Sequence, residues 1–179
     1  GGHVLMEDVP GTGKTTTAMT FAKVLGMDTR RVQFTSDTMP SDILGYSVYE
    51  KASGDFVFKP GAVMTNLLLA DEINRTSSKT QSALLEAMEE MRVTVDGQTY
   101  PLPSPFVVLA TQNPVGSAGT QMLPSAQMDR FMIKISMGYP DFESQISILR
   151  DRHRENPLDK IQPKVNIAEL QQLIEEASA

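Results

Sequence analysis

The sequence has no cysteine and only two histidines among its 179 residues. The lack of cysteine excludes disulfides, thiol catalysis and cysteine-ligated zinc, and it fits a reducing compartment, so we expect a cytoplasmic protein. His3 and His153 lie far apart in the chain and form no His-x-x-x-His pair, which leaves a zinc hydrolase without support. We therefore expect both histidines to be ordinary surface residues.

Long apolar runs and an excess of positive charge are also missing. The apolar runs at residues 67–70 and 106–110 fall far short of the roughly 20 residues that span a bilayer, and the N-terminus has no signal-peptide pattern. The 16 Lys and Arg against 22 Asp and Glu give a net charge of −6, so a general nucleic-acid surface is not expected. With 40% hydrophobic and 21% charged residues, the composition predicts a folded globular protein.

The ends of the sequence suggest a piece of a longer protein. It begins with Gly1-Gly2-His3 rather than methionine, and a strand-like segment follows at once. At the other end, residues 167–176 have the pattern of a helix with no later element to pack against. The length permits one domain, or one domain and part of another.

The apolar pattern predicts an α/β fold built on a parallel sheet. Core strands are expected at residues 4–6, 31–35, 67–70, 106–110 and 131–135. Helices or insertions separate them, which indicates a doubly wound sheet with ligands at the carboxyl ends of its strands. From residue 139 onward the pattern is helical, so we divide the chain into a core, residues 1–138, and a helical subdomain, residues 139–179.

The segments between the core strands have their own signals. A helix carries Ala18, Phe21, Ala22 and Leu25 at helical spacing and is closed by Gly26. Hairpins are expected around Gly54 and around Asp96-Gly97, a dipeptide that favours the type I′ turn. A further helix begins near Ser78, where Ser78 and Gln81 fit a capping box, and its apolar stripe is expected to consist of Leu84, Leu85, Met88 and Met91.

The first chemical motif is Gly11-Thr12-Gly13-Lys14-Thr15, which lies between a predicted strand and a predicted helix. Glycines let such a loop turn its backbone N–H groups inward, and the following helix presents its positive end to the same anion. Lys14 is expected to contact the β- and γ-phosphates of a nucleotide, and the Thr15 hydroxyl to bind Mg²⁺. The general pattern has glycine where this chain has Asp8, at the position that only begins the loop.

Polar side chains end two of the later strands. Asp71 and Glu72 follow the apolar run at residues 67–70; in a phosphate-loop enzyme the first carboxylate holds Mg²⁺ and the second polarises the attacking water. Asn113 follows residues 106–110 and reaches the same site if its strand lies between those that carry Lys14 and Asp71. Asn113-Pro114 could equally be a simple strand terminus, and Arg130 could be an ordinary surface arginine.

These motifs, in this order, resemble the AAA+ ATPases, and in detail the MoxR family among them. The resemblance covers nearly the whole chain and is carried by four stretches: residues 5–15, which end with Gly11-Thr12-Gly13-Lys14-Thr15; residues 71–76, which begin with Asp71-Glu72; residues 110–114; and residues 123–131, which end with Met128-Asp129-Arg130-Phe131. Asn156-Pro157-Leu158, in the expected lid, also fits. It implies a P-loop NTPase of AAA+ type, with a five-stranded parallel sheet, flanking helices and the beginning of a helical lid.

The resemblance also implies roles for particular residues. Glu72, Asn113 as sensor 1, and Arg130 as an arginine finger acting on the adjacent subunit's ATP form the catalytic set. Thr15 and Asp71 become the Mg²⁺ ligands. The residues implied to bind ATP are Asp8, Val9, Pro10, Gly11, Thr12, Gly13, Lys14, Thr15 and Thr16. In the loop after Asn113, Ala118 and Gln121 depart from residues common in the family, and the chain ends before the lid's sensor-2 arginine.

For the whole protein the resemblance implies a chaperone-like ATPase that remodels or matures client proteins. Such proteins assemble into a ring, expected to be a hexamer, and act with a von Willebrand factor type A partner, while the motifs leave the client open. Two alternatives remain at this stage. One is a nucleotide-dependent assembly switch with little turnover, and the other is a DNA-dependent AAA+ motor, against which the acidic charge balance counts.

Overall fold

The computed structural model describes residues 2–7, 12–113, 122–136, 138–151 and 157–178. Its strands are β1 Val4–Glu7, β2 Thr29–Gln33, β3 Gly45–Glu50, β4 Asp55–Pro60, β5 Leu67–Asp71, β6 Arg92–Val95, β7 Gln98–Pro101, β8 Val107–Gln112 and β9 Ile133–Ile135. Its helices are α1 Lys14–Val24, α2 Pro40–Leu44, α3 Ser78–Glu90, α4 Ser125–Met128, α5 Phe142–Asp151 and α6 Ile167–Ser178.

The central sheet is parallel and has the strand order β2-β5-β8-β1-β9. This confirms the predicted five-stranded parallel sheet with flanking helices, and it places β8 between β1 and β5. The fifth strand was predicted too early, because β9 begins at Ile133, and its three residues are exposed at the sheet edge.

Helices cover both faces of the middle of the sheet. On one face, Leu68 of β5 and Val108 of β8 belong to the main core together with Leu84 and Leu85 of α3. On the other face, a second cluster joins strands β1 and β5 to Ala18 of α1. Because both faces are covered, all five residues of β5 are buried, as its unbroken apolar run predicts.

Helix α1 ends as its glycine indicates. Gly26 has φ +61° and donates its N–H to the Lys23 carbonyl, while Met27 donates to the Ala22 carbonyl, which is the Schellman arrangement. The apolar stripe is only partly covered, since Phe21 is 56% exposed. Helix α1 therefore packs on the sheet mainly through its small residues.

Two details of α3 differ from the prediction. Its cap is Ser77 rather than Ser78: the Ser77 hydroxyl accepts the Thr80 N–H at 3.3 Å, and the Gln81 side chain donates to the Ile73 carbonyl instead of closing a capping box. Met91 is not part of the buried stripe, because it stands in left-handed conformation at the helix end and is 39% exposed.

Both predicted hairpins are present, as β3 with β4 and β6 with β7. At the second turn Asp96 has φ +50° and Gly97 has φ +77°, which is the pair of positive φ angles that a type I′ turn requires. The first hairpin carries an exposed aromatic pair, Tyr49 and Phe56, whose ring centroids are 5.5 Å apart.

His3 is buried, so its expected place on the surface was wrong. Its Nδ1 atom accepts the Val108 N–H at 3.0 Å, and its Nε2 atom lies 3.3 Å from the Met88 carbonyl, to which it donates. Burial is the main cause that lowers the His3 pKa below its ordinary value. His153 lies outside the described residues.

The C-terminal part contributes α5 and α6, and it touches the core through the end of α1. The Lys164 N–H donates to the Val24 carbonyl, and the Lys23 amine donates to the Leu158 carbonyl. The division of the chain at residue 138 stays a prediction. Among the helices of the described ranges, none combines the length and apolarity that a membrane span requires.

Candidate functional site

The strand order brings three of the predicted motifs to one edge of the sheet. In register, Leu5 of β1 lies beside Ala110 of β8, which lies beside Ala70 of β5. One residue further along, β5 ends at Asp71, and β8 ends two residues further, just before Asn113. Glu7, the last residue of β1, lies opposite Gln112 at this same edge. Because α1 follows β1 in the chain, we expect its start to lie near Asp71-Glu72 and Asn113.

The first turn of α1 has the properties of an anion-binding end. Gly13 has φ +88°, a conformation that favours glycine, and a Cβ atom built there would have no neighbour within 4 Å. No side chain caps the helix, and its first turn contains no acidic residue, so the helix itself supplies no negative charge at its positive end. This turn contains the predicted residues Lys14, which is buried, Thr15 and Thr16.

The remaining predicted binding residues divide into two groups. Thr12 is buried immediately before α1. Asp8, Val9, Pro10 and Gly11 lie outside the described residues. Even without those four residues, Gly13 and the first turn of α1 fit a phosphate group. The turn offers backbone N–H groups and Lys14, and the space beside the Gly13 Cα atom is open.

Asp71 is a buried carboxylate with a partner on each oxygen. The Thr111 hydroxyl donates to its Oδ1 atom at 3.1 Å, and the Arg31 Nε–H donates to its Oδ2 atom at 2.7 Å. Within the described ranges, no three His, Asp or Glu side chains converge on one point as a protein-only metal site would. A carboxylate and a hydroxyl, here Asp71 and Thr15, suit Mg²⁺, which commonly takes one or two protein ligands beside phosphate oxygens and water.

Glu72 stands in a strained backbone conformation. Its φ of 57° and ψ of 48° are left-handed, which costs a non-glycine residue on the order of 1–3 kcal/mol. The Glu72 N–H donates to the Thr111 hydroxyl at 2.9 Å, so one hydroxyl binds Asp71 and fixes the backbone of Glu72. Such strain clusters at functional sites, where the surrounding structure holds it.

The Glu72 side chain is held from two sides. The Asn113 amide donates to its Oε1 atom at 2.9 Å, and the Arg75 guanidinium donates to its Oε2 atom at 2.8 Å. The Arg75 hydrogen bond is the main cause that lowers the Glu72 pKa, and the Asn113 bond acts in the same direction. Glu72 is therefore an ionised acceptor whose carboxylate meets the side chain predicted as sensor 1.

Asn74 fixes the position of Asn113. It is fully buried, its amide donates to the Asn113 carbonyl at 3.1 Å, and its Oδ1 atom accepts the Asn113 N–H at 3.3 Å. This two-way bond joins the turn after β5 to the end of β8. The Asn113 side chain is thereby left to bind Glu72.

Sequence reasoning assigned no role to four residues of this cluster: Arg31, Asn74, Arg75 and Thr111. Asn74, Arg75 and Thr111 lay within the stretches that carried the family resemblance. Arg31 had no such signal. Its proximity to Asp71 follows only from the pairing of β2 with β5, in which Gln33 lies opposite Asp71.

Arg130 lies apart from this cluster. Its Nε and Nη2 atoms donate to one oxygen of Glu89, at 2.8 and 2.6 Å. Glu89 is near the end of α3, roughly 16 Å along the helix from its first residue. The structure thus brings together Asp71, Glu72 and Asn113, and it pairs Arg130 elsewhere.

Comparison with known proteins identifies relatives that are similar in sequence. Residues 3–133 match the profile of the ATPase family associated with various cellular activities. YeaC of Bacillus subtilis is 53% identical over 164 residues, which are 92% of this chain and 51% of YeaC. Chaperone MoxR1 of Mycobacterium tuberculosis is 51% identical over 148 residues, which are 83% of this chain and 39% of that protein.

A solved structure shares the fold. The crystal structure of a protein from Cytophaga hutchinsonii, inferred to be an ATPase, superposes with a TM-score of 0.87 at 46% identity. The match covers 98% of this chain and 53% of the solved one. The chain thus spans about half of the length of YeaC and of the solved protein, and less than half of MoxR1.

Proposed function

The chain belongs to the ATPase family associated with various cellular activities, in its MoxR group, and on this premise we propose that it binds ATP with Mg²⁺ and hydrolyses it to ADP and phosphate. The observation that carries this proposal is the contact at 2.9 Å between the Asn113 amide and the Glu72 carboxylate. That contact exists because β5 and β8 are neighbouring parallel strands that end at the same edge of the sheet. It aligns an ionised carboxylate with an amide, and this pairing supports our proposal that both face a nucleotide bound at the start of α1.

We assign the phosphate-binding role to the start of α1 and the loop before it. Lys14 and the N–H groups of the first turn would hold the phosphates, with the loop residues from Asp8 to Thr12 completing the contact. Thr15 and Asp71 would hold Mg²⁺, directly or through water. Bound Mg²⁺ would neutralise charge on the β- and γ-phosphate oxygens.

Glu72 is our candidate for the general base. An ionised carboxylate can accept the proton of the attacking water on its Oε1 atom, where the Asn113 amide now donates. Asn113 would then orient that water and the γ-phosphate. The left-handed backbone of Glu72, together with the Thr111 bond, would fix the direction of the carboxylate.

Arg130 fits a role in a neighbouring subunit better than one in its own site. It is paired with Glu89 and lies away from Glu72. An arginine finger contributes about 10³ to 10⁵ in rate, so we expect isolated subunits to be almost inactive and a ring, which we take to be a hexamer, to be the active form. The relative from Mycobacterium is named a chaperone, and we extend to this chain a chaperone-like action on a client protein, with a von Willebrand factor type A partner, in the cytoplasm.

The test is the ATPase rate per subunit as a function of protein concentration. Glu72→Gln should keep nucleotide binding and abolish turnover, and Glu86→Gln, which removes an exposed carboxylate from α3, is the matched control and should behave as wild type. Lys14→Ala should abolish binding. A rate per subunit that rises and then levels off supports sites completed between subunits.

Other results would favour the two alternatives. Retained ATP binding with a rate no higher than that of Glu72→Gln at every concentration would favour an assembly switch. Stimulation of the rate by DNA at low salt would favour a DNA-dependent motor. Normal turnover in Glu72→Gln would contradict our assignment of the base.

A further inference from the structure

The ion pair between Arg31 and Asp71 joins the edge strand β2 to the carboxylate that we assign to Mg²⁺. The Nε–Oδ2 distance is 2.7 Å, and the Asp71 side chain is 8% exposed whereas that of Arg31 is 51% exposed. A guanidinium that remains half in solvent thus neutralises a buried carboxylate. Its other contact, with the Gln33 side chain at 3.4 Å, is long and exposed.

The neighbouring arginine shows that this contact depends on the direction of the side chain. Arg30 precedes Arg31 on β2, and successive side chains of a strand point to opposite faces of the sheet. Arg30 accordingly donates to the Gly61 carbonyl at 2.9 Å on the other side. Of these two adjacent positive charges, only Arg31 reaches Asp71.

Mg²⁺ and Arg31 would compete for the same carboxylate. The Asp71 Oδ1 atom accepts the Thr111 hydroxyl and the Oδ2 atom accepts Arg31, so a cation that approaches Oδ2 would meet the guanidinium. Two cations at one oxygen repel each other, and Mg²⁺ tolerates little departure from its octahedral shell. The exposed guanidinium can move into solvent, whereas Asp71 is held by its strand and by Thr111.

We propose that Arg31 is a positioning residue that holds Asp71 when Mg²⁺ is absent and must leave it when Mg²⁺ and nucleotide bind. It thereby sets how much Mg²⁺ the site requires. This inference rests on the proposed function, because it takes Asp71 as a metal ligand. In this proposal Arg31 affects the Mg²⁺ concentration that the site needs, and it does not contact the nucleotide.

The experiment measures binding of a fluorescent, non-hydrolysable ATP analogue to the full chain at a series of free Mg²⁺ concentrations, with an EDTA series for metal-free affinity. Arg31→Gln should lower the half-saturating Mg²⁺ concentration about three- to ten-fold and leave the metal-free affinity unchanged. Arg31→Lys keeps the charge and should stay near wild type. Arg30→Gln removes the same charge from the other face and is the matched control.

Each other result contradicts the inference in a distinct way. An unchanged or raised Mg²⁺ requirement in Arg31→Gln, with circular dichroism like that of wild type, means that Arg31 does not compete with the metal. Weakened metal-free binding means that Arg31 contacts the nucleotide. An equal shift in Arg30→Gln means that overall charge is responsible. If the wild-type chain itself fails to bind the analogue with Mg²⁺, the proposed function fails first.

Discussion

Replacing Thr111 by valine should destabilise the fold more than the small change in side-chain shape suggests. Valine keeps the branched shape of threonine, and the site is buried, with 1% of Thr111 exposed. The substitution removes the hydrogen bond to Asp71 at 3.1 Å and leaves the Glu72 N–H without its acceptor at 2.9 Å. The steric change is small, so the loss of hydrogen bonds dominates.

The size of the effect follows from the two bonds. A buried donor left unpaired costs about 1–3 kcal/mol, and a hydrogen bond to a charged group contributes about 1.5–3 kcal/mol. These values do not add fully, because Glu72 can relax out of its left-handed conformation. We expect Thr111→Val to lower the free energy of unfolding by about 2–4 kcal/mol, which corresponds to a melting temperature lower by about 4–16 °C.

Urea denaturation followed by circular dichroism measures this difference. Thr99→Val is the matched control, because Thr99 is exposed on β7 and its hydroxyl contacts the exposed Thr94 hydroxyl, so the effect on stability should stay within about 0.5 kcal/mol. Thr111→Ser keeps the hydroxyl and should lose less stability than Thr111→Val. A loss below about 0.5 kcal/mol in Thr111→Val would refute the argument that this hydroxyl holds the turn after β5.

Three further predictions concern other parts of the chain. Neutral His3 uses both ring nitrogens in hydrogen bonds, and burial lowers its pKa, so His3 binds a proton more readily in the unfolded chain than in the folded one. The free energy of unfolding should therefore fall as the pH drops below about 6.5. Urea curves at acidic and neutral pH should show a steeper fall for wild type than for His3→Gln. Asn113→Ala should slow ATP hydrolysis by about 10²-fold and leave analogue affinity within about three-fold, since the backbone bonds to Asn74 remain; unchanged turnover would remove Asn113 from the mechanism. Gly97→Ala should cost about 1–2 kcal/mol through backbone conformation alone, because a Cβ atom there meets nothing within 4 Å, and an unchanged melting temperature would contradict this.

The middle of the sheet could be predicted from the sequence because β5 and most of β8 are buried on both faces. The unbroken apolar runs of these two strands, and the polar residues that follow them, can be read directly from the sequence. The position of β8 between β1 and β5 was only a condition of the prediction, and the structure meets it. With this strand order, Glu72 and Asn113 come into contact because they follow the ends of the neighbouring strands β5 and β8.

The errors have local physical causes. Thr76, Ser77 and Ser78 can all cap a helix, so the sequence alone leaves the start of α3 uncertain by a residue. His3 was misplaced because a polar residue can be buried when backbone groups satisfy both its nitrogens, and those groups belong to α3 and β8, far away in the chain. The Arg31 contact required the register of β2 against β5, which no short motif encodes.

The left-handed backbone at Glu72 has a consequence for engineering this chain. Glycine or asparagine adopts that conformation more easily than glutamate, and the ion pair with half-exposed Arg75 offsets only about 0–1 kcal/mol of the strain. A library screened only for heat resistance should therefore enrich small residues at this position, and in doing so discard the proposed base. At position 72, selection for thermal stability would therefore oppose selection for ATP turnover.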